Sequence, residues 1–442
     1  LIIDVSVFSP GLEPGLFGVR FFLFYVLRYL GKLKQKRVNV MRKSKGMRTA
    51  FVREVNYDIW NMVRSFVLRV AMGELVSKFF KVERVYSYIE PPGILGGVKV
   101  AGYDSFNNVI VEGKTLFVML RYGGDLYVLS CIMRDGGFGG DKFMISISAE
   151  GEGVDVERLM NDLVFESVEN SGYKGKILKL SGRGGRYENV LRMERVDVFG
   201  VSLDDIFLDR GIRDDIEDFI DAVVNLRFGG MKYLFVGEPG TGKTDTIKAV
   251  ISHCYGRNPE ITIFLVDGGS GVDIGALFDY VRVFKPCLVC IDDIDLMVGS
   301  RHGGVIFLDE LSGALQALDG FVDLDGLYLI ATTNDRELVD YAVRRPGRFD
   351  LILEFGALDP QFYPRIVIRE VGDEKLAEVF RDDGVIDALQ GSTGAFVVNL
   401  VKYLMRPRFD GLRYDPEFVI SVVKKFRGSF GLSSQGKIGF VE

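Results

Sequence analysis

Two short stretches hold residues that could do chemistry together: "GEPGTGKT" at 237–244 and "CIDDID" at 290–295. The first has the spacing G-x-x-x-x-G-K-T, which lets backbone N–H groups turn inward around a triphosphate. Gly237, Gly240 and Gly242 permit the tight turn, and Glu238, Pro239, Thr241 and Asp245 complete the loop. Lys243 is expected to reach the β- and γ-phosphates, and Thr244 to offer its hydroxyl to Mg2+. An apolar run, "YLFVG", precedes the loop and a helical run, "DTIKAVISHC", follows it. That context turns a glycine-rich string into an ATP and Mg2+ site, with the helix N-terminus adding partial positive charge.

The second stretch mixes two chemistries. Asp292 lies 49 residues after Lys243, at the end of the apolar run "CLVCI". A carboxylate at the tip of a strand beside the phosphate-loop strand would hold the Mg2+ water shell, and Asp293 would polarise an attacking water. Cys287 and Cys290 make a C-x-x-C, but positions i and i+3 of a strand face opposite sides, so they cannot converge on one metal. They are expected to be small apolar core residues. His253 and His302 stand alone and complete no zinc set.

The elements that must position these residues follow from the hydrophobic pattern. After about residue 200, apolar runs alternate with amphipathic ones ("KYLFVG", "ITIFLVD", "CLVCID", "GLYLIATTN"), the mark of a parallel sheet with crossover helices. From about 360 the pattern is helical. Upstream, three strand-like runs separated by Gly-Gly-Asp and Gly-Phe-Gly-Gly-Asp precede an acidic helix and the strand "KILKL". The class is α/β, with a smaller α+β domain in front. The expected organisation is an apolar and basic segment at 1–40, a helical segment at 41–84 and an α+β middle domain at 85–185. A large nucleotide-binding part at 186–356, a helical lid at 357–428 and a tail at 429–442 follow.

With these motifs in order, the chain resembles the AAA ATPases across roughly 200–428. "CIDDID" resembles the family's carboxylate strand. "YLIATTND" is similar to its sensor strand, where the resemblance implies that Asn334 aligns water and γ-phosphate. "YAVRRPGRFDLILEFG" resembles the region in which Arg345 and Arg348 would act as arginine fingers on a neighbouring subunit's ATP. The resemblance implies a P-loop AAA module and a ring of six or seven copies. It also implies adenine contacts from Asp205 and Ile206 in "SLDDIFLDRG" and from Gly394 in "GSTGAFVVNL". The same residues admit a plainer reading as helix starts, capped by Asp204 or Asp205 and by Ser392 or Thr393. "FLDELSGALQALDG", "RPGRFDL" and Asp rather than the usual Glu at 293 resemble one subgroup, the translocases that move the folded Rieske iron–sulfur protein across the inner mitochondrial membrane. The shorter Asp implies slow hydrolysis. Val266–Phe278 has no aromatic before Phe278, unlike the pore paddle of threading relatives, which favours folded or membrane-bound clients.

The bulk numbers limit the partners. Net charge is −6 over 442 residues, so no general electrostatic case exists for nucleic acid, and a DNA-handling role is the weaker alternative. Four scattered cysteines fit a reducing compartment, cytoplasmic or at a membrane facing one. Leu16–Arg37 is the membrane candidate: a spanning helix, an interfacial amphipathic helix with a basic flank, or a helix packed on a neighbour. A second alternative is an ATP-ordered scaffold with negligible hydrolysis.

Overall fold

The computed structural model describes residues 49–55, 57–89, 94–96, 100–106, 108–111, 115–134, 142–149, 155–182, 191–272, 274–299, 326–335 and 349–429. The membrane candidate 16–37, the segment 307–320, Arg345, Arg348 and the tail lie outside them. Among the described residues no helix is long and apolar enough to cross a membrane. The chain divides into two units, Leu1–Gly172 and Tyr173–Glu442.

The first unit is built on an antiparallel sheet. Its elements are β1 (Thr49–Val55), α1 (Tyr57–Ala71), β2 (Phe80–Ile89), β3 (Ile94–Gly96), β4 (Val100–Tyr103), β5 (Val109–Val111), β6 (Thr115–Tyr122), β7 (Asp125–Arg134), β8 (Lys142–Ala149) and α2 (Val156–Glu169). The sheet order is β1-β8-β7-β6-β2-β3, with β4 and β5 forming a separate hairpin. A two-residue turn joins β6 to β7, where Gly123 and Gly124 take φ values of 57° and 96° that other residues adopt at a cost. Helix α1 is buried from Asp58 to Leu68 on every face. The 41–84 stretch is therefore not all helix: "TAFVREV" alternates and pairs with β8 from Thr49↔Ala149 to Val55↔Phe143. Cross-strand pairing outweighs its helical neighbours' spacing, because strand preference is decided by the partner strand.

The second unit holds the nucleotide-loop sequence. Its elements are β9 (Ile177–Gly182), β10 (Leu191–Arg195), α3 (Arg210–Val224), β11 (Gly230–Gly237), α4 (Lys243–Arg257), β12 (Thr262–Asp267), α5 (Ile274–Val281), β13 (Cys287–Asp292), α6 (Leu296–Gly299), β14 (Leu327–Thr333) and β15 (Leu351–Phe355). The sheet runs β10-β9-β12-β13-β14-β11-β15. All neighbours are parallel except the edge pair β10–β9. One face packs on α3 and α4 through a core that includes Phe219, Ile220, Val250, Phe235, Leu288 and Ile330.

This sheet corrects two expectations. The "KILKL" strand, placed in the middle domain, is β9, which pairs parallel with β12 from Ile263↔Ile177 to Val266↔Leu180. The division therefore falls at 172/173 rather than 185/186. Chain order alone does not tell a strand which sheet will accept its hydrogen bonds. Nor does the Asp292 strand lie beside the phosphate-loop strand: β14 is inserted between β13 and β11.

After β15 the chain becomes helical: α7 (Tyr363–Val371), α8 (Glu374–Val379), α9 (Asp383–Leu389), α10 (Gly394–Leu404) and α11 (Pro416–Ser429). They close a separate core around Tyr363, Ile366, Leu376, Leu400 and Val419.

Candidate functional site

The C-terminal ends of β11, β13 and β14 bring the polar residues together. The phosphate loop leaves β11 at Gly237, and α4 starts directly after Gly242, whose φ of 100° suits a residue without Cβ. Lys243, only 5 % exposed, lies back under the loop. Its Nζ donates to the carbonyls of Gly237 (2.6 Å) and Glu238 (3.0 Å) and to Asn334 Oδ1 (2.9 Å). Burial pulls its pKa down, while the carboxylates of Asp293, Asp292 and Asp295 push it back up. Every acceptor bonded to this buried ammonium is neutral, so the loop suits an anionic group as the ammonium's counter-charge. Within the loop Thr241 Oγ1 donates to the Glu238 carbonyl at 2.8 Å, and Asp245 accepts from Lys248 at 3.0 Å. Pro239 is exposed on the outside of the loop.

Thr244 Oγ1 donates to both oxygens of Asp292, at 2.9 and 3.2 Å. A hydroxyl and a carboxylate in direct contact form an all-oxygen donor pair, which fits Mg2+ with its remaining positions left to water and phosphate. Asp293 follows in a left-handed backbone conformation, φ 52°. Burial raises its carboxyl above the ordinary carboxylate range, and Asp292 and Asp295 add to this; a bond from Asn334 and the Lys243 ammonium oppose it. Asn334 Nδ2 donates to Asp293 Oδ1 at 2.9 Å. The Asn334 amide thus spans from Lys243 to Asp293, a position it owes to the inserted strand β14.

The cysteine pair resolves without chemistry. Cys290 packs with Leu288 and Cys254 in the core, while Cys287 Sγ faces the Val281 carbonyl at 3.6 Å. Burial pushes the Cys287 thiol up to about 12 and Cys290 well above its ordinary value. Both are neutral thiols on opposite faces. Among the described residues no three or more His, Cys, Asp or Glu side chains cluster to hold a metal ion by themselves.

The other end of the site is aromatic. Ser202, not Asp204 or Asp205, caps the short turn 203–205, and the Asp205 carboxylate returns a bond to the Ser202 N–H at 2.9 Å in a capping box. Its carbonyl accepts from Arg369 Nη1 at 2.7 Å. Asp205 thus has a partner on its side chain and on its carbonyl, and Ile206 packs half-buried against the core. The cleft itself is lined by Phe207, Leu208, Ile212, Thr241, Phe362 and Gly394, among others. Gly394 lines this cleft, and Thr393 caps α10 by accepting from Phe396 N–H. The lid touches the phosphate loop directly, with Ala395 N–H donating to the Gly240 carbonyl at 3.1 Å.

Residues 233–357 match the family of ATPases associated with various cellular activities, AAA. The chain carries an AAA ATPase module. Its relatives include the peroxisomal ATPase PEX6 of Saccharomyces cerevisiae, 35 % identical over 178 residues, covering 36 % of this chain and 17 % of that protein. The ATP-dependent zinc metalloprotease FtsH 1 of Symbiobacterium thermophilum is 28 % identical over 259 residues, 55 % of this chain and 43 % of the relative. FtsH of Clostridium perfringens is 33 % identical over 181 residues, 38 % and 24 % of the two chains. The chain thus spans less than half the length of these relatives.

Around the AAA module's carboxylates lie groups that sequence reasoning passed over. Thr332, fully buried, donates to Asp292 Oδ1 at 2.6 Å and accepts the Asp293 N–H at 2.8 Å. Thr333 donates to Asp295 Oδ1 at 2.9 Å. The signal for both was the Thr-Thr-Asn end of an otherwise apolar strand. Phe207 and Arg369 carried no comparable signal.

Proposed function

We propose that this chain is a ring-forming AAA ATPase that couples Mg-ATP hydrolysis to remodelling, chaperoning or translocating a protein client. Lys243 neutralises charge on the transferring phosphoryl group, and Thr244 and Asp292 hold Mg2+. The metal ion supplies charge neutralisation across the phosphates. Asp293 orients the attacking water and accepts its proton on the free carboxylate oxygen. The raised pKa makes it a better base than an ordinary aspartate. Asn334 positions that carboxylate relative to Lys243. Arg345 and Arg348 complete the charge stabilisation from the neighbouring copy, so that hydrolysis belongs to the ring. The observation that carries this reading is the continuous chain of bonds Lys243–Asn334–Asp293, which orients a candidate base toward the cation.

The client in this reading is folded or membrane-associated, as for the Rieske-protein translocases. It is favoured by a β12–α5 connection without an aromatic paddle: Phe278 is already on helix α5. Membrane attachment through 16–37, and a cytoplasmic or reducing-side location, belong to the same proposal. The test is Mg2+-dependent ATP turnover by the purified chain, alone and doped with Arg348→Ala subunits. Doping is expected to lower turnover more than in proportion to the mutant fraction. Strictly proportional loss would rule out catalysis across subunits. A scaffold reading rests on the shorter Asp293 side chain, and single-turnover hydrolysis separates it: ATP that stays intact while bound favours the scaffold.

A further inference from the structure

Three polar arrangements stand outside the roles given so far: the buried Asp58 carboxyl in the first unit, the exposed Arg369 guanidinium beside Phe207 at the aromatic end, and the buried Thr332 hydroxyl in β14. Thr332 is the one whose partners are both site residues. The β13–β14 register ends at Ile291↔Ala331, so Thr332 is the next residue along, opposite Asp292. On its other side Thr332 pairs with Phe235 of the phosphate-loop strand. It therefore occupies the strand inserted between loop and carboxylates.

A threonine hydroxyl has one proton to give and lone pairs to accept. Here the proton goes to Asp292 Oδ1, and a lone pair takes the Asp293 N–H. The Thr332 carbonyl accepts the Ile294 N–H at 2.9 Å. Three consecutive residues of the β13 exit are thus held by a single residue of β14. The consequence is geometric. With Oδ1 of Asp292 tied back into the sheet, Oδ2 makes the shorter contact with Thr244 Oγ1. With its N–H tied, Asp293 stays in the left-handed turn that puts its carboxylate within reach of Asn334. That turn also places the Asp293 carbonyl where a Cβ on Gly268 would meet it at 1.8 Å, so the backbone has little room to relax.

We propose that Thr332 is a positioning residue that fixes the metal-binding Asp292 and the candidate base Asp293 relative to each other. It rests on the hydrolysis reading above and adds to it a residue that touches neither nucleotide nor metal. Valine has the same shape but neither donates nor accepts, so Thr332→Val keeps the packing and removes both bonds. Losing a partner that orients a ligand typically costs about 10- to 100-fold in metal affinity.

Three measurements on the full chain test this: nucleotide binding titrated with Mg2+, nucleotide binding in EDTA, and hydrogen exchange at the Asp293 amide without nucleotide. In Thr332→Val the Mg2+ needed for half-maximal effect is expected to rise on the order of 10-fold. Binding in EDTA is expected to stay within about two-fold of wild type, the Asp293 amide to exchange faster, and Thr332→Ser to restore the Mg2+ titration and the exchange. An unchanged Mg2+ titration and unchanged exchange would overturn the proposal. So would an equal loss in EDTA that serine does not restore, since that marks packing alone. Should Thr332→Val not fold, Thr332→Ala is read by the same measurements. If the wild-type chain binds no nucleotide, the hydrolysis reading fails, and the amide exchange still judges whether Thr332 holds the turn.

Discussion

The two large sheets among the described residues use buried polar groups in different ways. In the antiparallel unit they close on the protein itself. Glu166, 4 % exposed, accepts from Lys78 N–H and Ser77 Oγ, and Ser65 Oγ accepts the Val109 N–H. Asp58 has a buried carboxyl oxygen with no hydrogen-bond partner, and burial, helped by Asp104, raises its pKa to about 7. In the parallel unit, Lys243 at the start of α4 and Asp292 and Asp293 at the end of β13 are linked to one another through Thr244 and Asn334. Burial of a charge or a shifted pKa therefore does not mark a site by itself. What marks it here is that the groups converge at the carboxyl edge of a parallel sheet, where helix N-termini and strand ends leave a crevice.

Four substitutions would break or sharpen that contrast. The largest effect is expected from Asp293→Asn, which removes the candidate base while Asn334 can still bond its oxygen. Turnover should fall on the order of 1,000-fold with nucleotide affinity retained. The same substitution should stabilise the nucleotide-free protein at neutral pH. The folded-state pKa of Asp293 is raised, so its contribution to wild-type stability is full below the ordinary carboxylate range and is lost as pH rises through the folded-state value. The advantage of Asn over Asp in urea unfolding should therefore shrink as pH falls below the ordinary carboxylate range. Lys243→Ala comes next, with a loss of ATP affinity on the order of 100-fold by calorimetry and no loss of thermal midpoint.

Asp58→Asn probes the other sheet and should leave ATP turnover alone. Its pKa of about 7 means that the Asp58 contribution to wild-type stability declines from about pH 4 to pH 7 as the buried acid is forced to ionise. Denaturation at pH 8 should show a net gain of about 1–2 kcal/mol, because the replacing amide is itself buried without a full set of partners. A change in turnover instead would join the two sheets functionally. The smallest effect is expected from Arg369→Ala. It removes the bond to the Asp205 carbonyl and a guanidinium 4.9 Å from the Phe207 ring. A contact of this exposed kind should weaken nucleotide binding by about three-fold, with turnover at saturation unchanged.

Legibility followed the range of the interactions. The phosphate loop could be read because its chemistry lies within eight consecutive residues: glycine conformations, a helix start and one lysine are local properties. The opposed faces of Cys287 and Cys290 were readable for the same reason, since strand alternation is local. The lid's helices and the acidic helix α2 announced themselves by period. The failures in the fold were non-local, whereas the cap of the 203–205 turn was missed within three residues. Strand β1 reads as part of a helical stretch until β8 pairs with it. Strand β9 reads as part of the upstream domain until β12 pairs with it.

The amino-acid sequence alone therefore determined the kind of chemistry: a loop for phosphates, two consecutive carboxylates after a buried strand, and an asparagine at the end of another. The tertiary structure decided how those pieces meet. It inserted β14 between β11 and β13, enrolled β9 in the parallel sheet, and turned the Thr332 hydroxyl onto both carboxylate residues. The reason is physical. Hydrogen bonds along a helix or within a turn are set by neighbours in the chain, whereas those between parallel strands depend on which distant segments pack best on shared helices.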